Sequence, residues 1–303
     1  MKDKNEISVI AVVVTYNRLS ILKKNIEALM SQTFNGKLSI LIVDNCSTDG
    51  TEEFCKKIQE DNIIYYKTEE NLGGAGGFNA GIKEASKHNF DYVWVMDDDC
   101  IPFDDALEKF INSEVINDEI GFLASKVLWK DNGLCYVNVP KKSIWRFVKQ
   151  FEGEPQSIVI ASFVSIFLPM KVVKEVGFPI KDFFLLADDY EYTRRISRLY
   201  PSYYIPESKV KHLAANNYGP DIARLDAGQI PKLERMYRND TFVFSREGLA
   251  GNIFIFTREI VHTIKVILVA KDNKCERIKA IWRGTKSGRK FKPVIETYKI
   301  EQS

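Results

Sequence analysis

Four short runs rich in β-branched residues, each closed by a polar cluster, constrain this chain more than any other feature. Residues 7–14 (ISVIAVVV) are apolar almost throughout, the pattern of a strand covered on both faces in a parallel sheet. Thr15-Tyr16-Asn17-Arg18 breaks the run. After Ser20, the residues Ile21, Leu22, Ile26, Leu29 and Met30 follow helical spacing. A second strand is predicted over 38–43. It closes with Asp44-Asn45-Cys46-Ser47-Thr48-Asp49-Gly50, where Asp49 or Thr51 is placed to cap the next helix. A third, over 63–67, precedes a glycine-rich loop at 71–78 and a helix from about Asn79. The fourth, 92–96, runs directly into Asp97-Asp98-Asp99. This alternation predicts an α/β fold with a doubly wound, mostly parallel sheet. In such sheets ligands bind beyond the carboxyl ends of the strands, where each of these polar clusters falls.

The α/β pattern continues with a helix over 104–110, strands over 121–128 and 158–168, and a short helix over 172–176. A helix starting near Asp188 and a strand over 203–205 follow. After about Tyr218 the pattern becomes helical: 237–246, then the long apolar stretch 253–270, then a Lys/Arg-rich tail over 271–292. The expected division is 1–217 and 218–303. A net charge of +2 gives no reason to expect a nucleic-acid partner. Cys46, Cys55, Cys100, Cys135 and Cys275 form no close pair, which fits a reducing compartment better than a disulfide framework. With neither a signal-peptide pattern nor a charge-free spanning stretch, a cytoplasmic protein is expected.

Two acidic groups invite chemistry. Asp97-Asp98-Asp99 leaves a buried strand, and three adjacent carboxylates are best tolerated when they hold a hard divalent cation or stay solvated as a helix cap. Asp188-Asp189-Tyr190-Glu191 follows apolar residues 183–187. Carboxylates there suit a general base, and equally suit the start of a helix, whose dipole favours acids. The 71–78 loop lacks both the P-loop and G-x-G-x-x-G patterns, so it points to close backbone approach or to a turn. His212 alone carries little weight.

Together these motifs resemble the family 2 glycosyltransferases of GT-A fold over roughly residues 7–217. The matching residues are Thr15-Tyr16-Asn17-Arg18, Val43-Asp44-Asn45 with Ser47-Thr48-Asp49-Gly50, Asn71 with the glycine loop, Asp97-Asp98-Asp99, Asp188-Asp189-Tyr190-Glu191 and His212. The 71–78 and 188–192 patterns, Tyr237-Arg238-Asn239 and the basic ending around Arg283-Gly284 resemble the galactofuranosyl- and rhamnosyltransferase branch. The resemblance implies an inverting enzyme using a nucleotide-sugar donor. UDP-galactofuranose is favoured, with dTDP-rhamnose as the alternative. It implies that Arg18, Asp44 and Asn71 contact the nucleotide, with Asp44 near the base and Asp97 near the ribose and diphosphate. Thr15, Gly76, Gly77 and Asp98 complete the donor set. Asp99 and His212 would hold Mn²⁺ or Mg²⁺, Asp189 would be the catalytic base, and Asp188 and Glu191 would face the acceptor. The tryptophan that many relatives carry before the two acids is Ala187 here.

The implied acceptor is a lipid-linked or polysaccharide saccharide in cell-surface glycan synthesis, met at the inner face of the plasma membrane. Residues 253–292 then read either as a peripheral membrane contact or as a helix packed on the catalytic domain or in a homo-oligomer. A nucleotidyltransferase would place glycines after the first strand, where this chain has none. A non-catalytic nucleotide-sugar-binding protein is the rival of another class.

Overall fold

The computed structural model describes residues 3–298. Strand β1 (Ser8–Thr15) lies near the middle of the main sheet. Its side chains alternate between two cores: Val9, Ala11 and Val13 on one face, Ile10, Val12 and Val14 on the other. Both faces are covered, which is why the run is apolar throughout. Helix α1 (Leu19–Met30) follows, then β2 (Lys37–Asp44), α2 (Thr51–Cys55), β3 (Ile63–Lys67), α3 (Gly73–Ala85) and β4 (Tyr92–Asp97). These four strands pair in parallel in the order β3-β2-β1-β4. Asp49 serves two helix starts: one carboxylate oxygen accepts from Leu19 N at 2.8 Å, the other from Thr51 Oγ1 at 2.6 Å.

The second half is mixed rather than parallel. After β5 (Cys100–Pro102), α4 (Ala106–Ile111) and β6 (Leu123–Trp129), the chain makes the small strands β7 (Lys141–Ser143), β8 (Arg146–Phe147) and β9 (Gln156–Ser157). It then enters β10 (Ile166–Pro169), antiparallel to both β4 and β6. The connection into β10 carries a hairpin and no crossover helix, so the strand enters from the opposite end of the sheet. The strand expected over 158–168 is therefore only its last part. Ile158, Ile160, Phe163 and Val164 are apolar because they are buried, not because they pair in a ladder. Helices α5 (Met170–Val176) and α6 (Asp188–Ser197) precede β11 (Tyr203–His212), which pairs in parallel with β6 and antiparallel with β5.

The glycine-rich segment is a helix, not a loop. Helix α3 begins at Gly73, six residues before the expected start. A Cβ on Gly77 would stand 2.6 Å from Val14 Cγ1, and one on Gly81 2.7 Å from both Val12 Cγ1 and Val43 Cγ2. The absent side chains let the helix axis settle onto β1 and β2. Gly76 is buried within the same helix, its missing Cβ filled by Leu72 at 2.4 Å. Gly76 and Gly77, expected in the donor set, thus serve packing; Gly74 is the glycine of this run that reaches the cavity described below. Gly77→Ala is expected to cost about 1–3 kcal/mol by overpacking, read as a lower Tm with donor binding retained. Unchanged stability with lost donor affinity would return Gly77 to the nucleotide site.

Helices α7 (Ile230–Ser245), α8 (Gly248–Val269) and α9 (Lys274–Lys290) form the C-terminal layer. It shares a core with the sheet-bearing part of the chain, where Phe183 and Ala187 pack with Phe242, Phe244 and Ile255. No helix among the described residues is long and apolar enough to cross a membrane.

Candidate active site

Beyond the ladder that pairs Thr15 with Asp44, the loops after β1 and β2 are tied together by side chains. Asn17 Oδ1 accepts from Thr48 N at 2.7 Å, and Asn17 N donates to Ser47 Oγ at 3.0 Å. Asp44 is fully buried and accepts from Ser47 N and the Tyr65 hydroxyl, both at 2.7 Å. Asn45 continues the link, donating to Asn71 Oδ1 at 3.2 Å and Gly73 O at 3.0 Å. Asp44, Asn71 and the start of α3 therefore stand together.

Arg18 reaches across β1 to the acidic triplet, 2.8 Å from Asp99 and 3.3 Å from Asp98. Asp98 is buried and also accepts from Thr15 Oγ1 at 2.7 Å. Burial pushes its carboxyl up to about 6 against the pull of Thr15 and Arg18. Asp98, itself held by Thr15, thus helps to fix the half-exposed Arg18. Asp97, Asp99 and His212 come from two non-adjacent parts of the chain, yet their potential ligand atoms all lie within 4.8 Å of one another. Burial and the neighbouring Asp99 charge push Asp97 up to about 7. Burial opposes the charged His212 ring, but the hydrogen bond and charge of Asp99 outweigh it and carry the ring up to about 10. Burial likewise works to raise Asp99, while His212 and Arg18 hold it below its ordinary value.

These donors fit a cation. Asn138 donates from Nδ2 to Ser162 Oγ at 2.9 Å, so its Oδ1 faces His212 Nδ1 at 2.8 Å. An acceptor there places a proton on Nδ1 and turns Nε2 toward Asp99 Oδ1, 3.1 Å away, where Nε2 donates in the charged ring and presents its lone pair in the neutral one. Two acceptors in that relation require a proton or a cation between them. Carboxylate and imidazole together suit Mn²⁺ or Mg²⁺ with phosphate oxygens completing the shell.

Asp188 and Asp189 begin α6 after a strained turn. Phe184, Leu186 and Ala187 have φ of 62°, 71° and 65°, in the left-handed region that non-glycine residues rarely enter. The turn is held from both sides. Phe184 O accepts from Ala75 N at 3.2 Å, and a Cβ on Gly73 would stand 2.1 Å from that oxygen. From the other side the fully buried Asn239 of α7 donates to Phe183 O, Leu185 O and Leu186 O at 3.1, 3.0 and 2.8 Å. Arg238 adds Asp182 O at 2.9 Å. Burial, then the Asp188 charge, pushes Asp189 well up, and burial pushes Asp188 to about 6. Asp189 Oδ1 accepts from Tyr190 N at 2.7 Å.

Asp97, His212, Asp188 and Asp189 share one cavity of about 510 Å³, together with Asn138, Asp240 and the aromatic side chains Tyr136, Phe147 and Phe163. Glu191 does not reach it. Its carboxylate is buried against Arg195, 2.9 Å away, and Arg195 in turn donates to Val176 O and Phe178 O. The expectation that Glu191 faces an acceptor is corrected: as the fourth residue of α6 it turns toward Arg195, one helical turn on. Tyr65, Asn138 and Asp240 gave no signal in the sequence. Asn239 did, as part of Tyr237-Arg238-Asn239, but its task was not readable from the motif.

A family model for Glycosyl transferase family 2 matches residues 10–177, more than half of the chain. This chain is a family 2 glycosyltransferase. The galactofuranosyltransferase GlfT1 of Mycobacterium tuberculosis is 38% identical over 93 residues, 30% of each chain. The poly-beta-1,6-N-acetyl-D-glucosamine synthase of Staphylococcus aureus is 35% identical over 92 residues, 30% of this chain and 21% of the synthase. The similarity thus spans less than a third of the length of these relatives. The solved GalNAc-T7 with UDP, GalNAc and Mn²⁺ superposes with a TM-score of 0.59 at 14% identity, covering 81% of this chain and 51% of that one. A mannosyltransferase from Pyrobaculum calidifontis, in complex with GDP-Man and Mn²⁺, gives 0.53 at 14% identity, with 94% and 74% covered. At such identity these two show the fold alone. The fold of this glycosyltransferase is GT-A, a mixed sheet flanked by helices with a helical C-terminal region.

Proposed function

We propose that this glycosyltransferase moves galactofuranose from UDP-galactofuranose to a lipid-linked saccharide acceptor in cell-surface glycan assembly, with inversion at the anomeric carbon. The observation that carries this reading is the convergence of two acidic sets on one cavity: Asp97 and His212, with Asp99 within ligand distance of both, and Asp188 with Asp189. The similarity to a galactofuranosyltransferase supports the choice of sugar. In this reading residues 1–217 carry donor and acceptor chemistry, and 218–303 brace the acid-bearing turn. The free cysteines suit a reducing compartment, so the cytoplasmic face of the plasma membrane is the proposed location.

Asp44 meets the base, Arg18 and Asn71 hold the nucleotide beside it, and Asp97 stands by the ribose and diphosphate. Asp97, Asp99 and His212 would hold Mn²⁺ or Mg²⁺, which supplies Lewis-acid neutralisation of the departing diphosphate. Asp189 carries the proton transfer. Its Oδ1 is occupied by Tyr190 N–H, leaving Oδ2 to take the acceptor's hydroxyl proton. As that O–H bond breaks, the acceptor oxygen bonds to the anomeric carbon and the bond from that carbon to the diphosphate oxygen breaks, releasing UDP. One base and one displacement give inversion. The buried surroundings that raise Asp189 make it a stronger base toward a sugar hydroxyl.

Calorimetry with UDP-galactofuranose, UDP-galactopyranose and dTDP-rhamnose, each with Mn²⁺ and with EDTA, tests the donor. Selective binding of UDP-galactofuranose, lost with EDTA, is expected. Preference for dTDP-rhamnose would move the enzyme to the rhamnosyl branch, and no binding with metal present would sink the reading.

A further inference from the structure

Helix α8 is built inside out. Leu249, Ile253, Phe256, Ile260, Ile264 and Ile267 recur at three- and four-residue spacing, and all are exposed. That spacing puts them on one stripe. The charged residues of the same helix turn toward the protein: Arg258 pairs with Asp240 of α7, Glu259 is buried, and Lys265 reaches Asp221 at 2.9 Å. A surface helix facing water has the opposite arrangement. The 22-residue helix is about 33 Å long at 1.5 Å per residue, so the stripe far exceeds scattered surface apolar residues.

The stripe leads to the catalytic cavity. Trp145, exposed on the β7–β8 hairpin, lies edge-on to Phe254 of α8 with ring centroids 5.0 Å apart. Phe147 of the same hairpin and Tyr136 are also exposed, and both line the cavity that holds Asp189. Charge accompanies the apolar surface. Lys271 and Lys274 stand exposed just past the end of α8. On α9, Lys279, Trp282, Arg283 and Lys286 share one exposed face at helical spacing, with Glu276 beside Lys279 at 2.7 Å and Glu234 of α7 beside Arg283 at 3.0 Å.

We infer that α8 lies in the plane of an anionic lipid surface. Its stripe sits among the acyl chains, the α9 cations sit at the headgroups and Trp145 sits at the interface, so the cavity mouth opens at lipid level. A second copy of the chain is a poorer occupant, because an isologous interface offers these cations only the same basic surface, whereas anionic headgroups offer counter-charge. The inference rests on reading the cavity as the entrance of a lipid-linked acceptor. Its test needs neither donor nor acceptor, so the two readings fail separately.

Flotation of the full chain with phosphatidylcholine vesicles, with and without phosphatidylglycerol, is the experiment. Binding is expected with the anionic vesicles, weakening as salt rises. The double variant Ile260→Ser, Ile264→Ser is expected to bind at least about tenfold more weakly, with Tm unchanged because both side chains are exposed. Flotation with neither vesicle would overturn the inference. So would a solution dimer that the double variant converts to monomer while vesicle binding is absent.

Discussion

Asp189→Asn is expected to lower transfer by about 10³-fold or more, within the range a positioned base contributes. The amide keeps the shape of the carboxylate and the contact with Tyr190 N, but has no basic oxygen for the acceptor's proton. The residues proposed to face the nucleotide, Asp44, Asn71 and Arg18, lie at the ends of other strands and are untouched. Calorimetric donor affinity should therefore stay within about twofold of the parent, since the lost interaction is made in the transition state. Transfer near the parent rate would remove Asp189 from the role of base and direct attention to Asp188, its neighbour on the cavity wall.

Asn239→Ala is expected to act at a distance. The substitution leaves Phe183 O, Leu185 O and Leu186 O without their shared donor. Losing a buried partner costs about 1–3 kcal/mol, read as a lower Tm. The turn it holds carries three residues in left-handed geometry, each retained only because its surroundings enforce it. Released, the turn relaxes and moves Asp188 and Asp189. A misplacement of about 1 Å lowers kcat by roughly 10²-fold. Donor affinity should hold, because Asn239 lies on α7, away from the strand ends proposed to meet the nucleotide. Adding Ala187→Gly, which removes the steric cost of φ 65°, should recover part of the Tm. A variant that loses stability but keeps kcat would make Asn239 a packing residue only.

Much of the first half was legible because its signals are local. The run at 7–14 shows that both faces of its strand are covered, and the polar clusters mark where each strand ends. Asp49 shows helix capping by position. Asp97-Asp98-Asp99 and Asp188-Asp189 were identified as acidic sets, and the fold brings members of both to one cavity. Legibility failed where the same local pattern serves two structures. Four glycines in five positions read as a loop, because isolated glycine weakens helices. Here the missing Cβ of Gly77, with that of Gly81 beyond the run, is what allows α3 to rest on Val14, Val12 and Val43, on strands distant in sequence. Apolar 158–165 read as strand, yet is buried coil threading toward β10.

What the sequence determined by itself is the periodicity of its elements, the positions where strands give way to polar turns, and the stock of acids, histidine and amides those turns present. Partnership was decided by the tertiary structure. Asn138 finds His212 across 74 residues, Asn239 finds the 183–186 carbonyls across more than 50, and Glu191 is drawn to Arg195 rather than to the cavity. The physical reason is one of range. Period and propensity act over a few residues, whereas a buried hydrogen bond or ion pair is chosen by whatever donor the packed sheet and helices bring within about 3 Å.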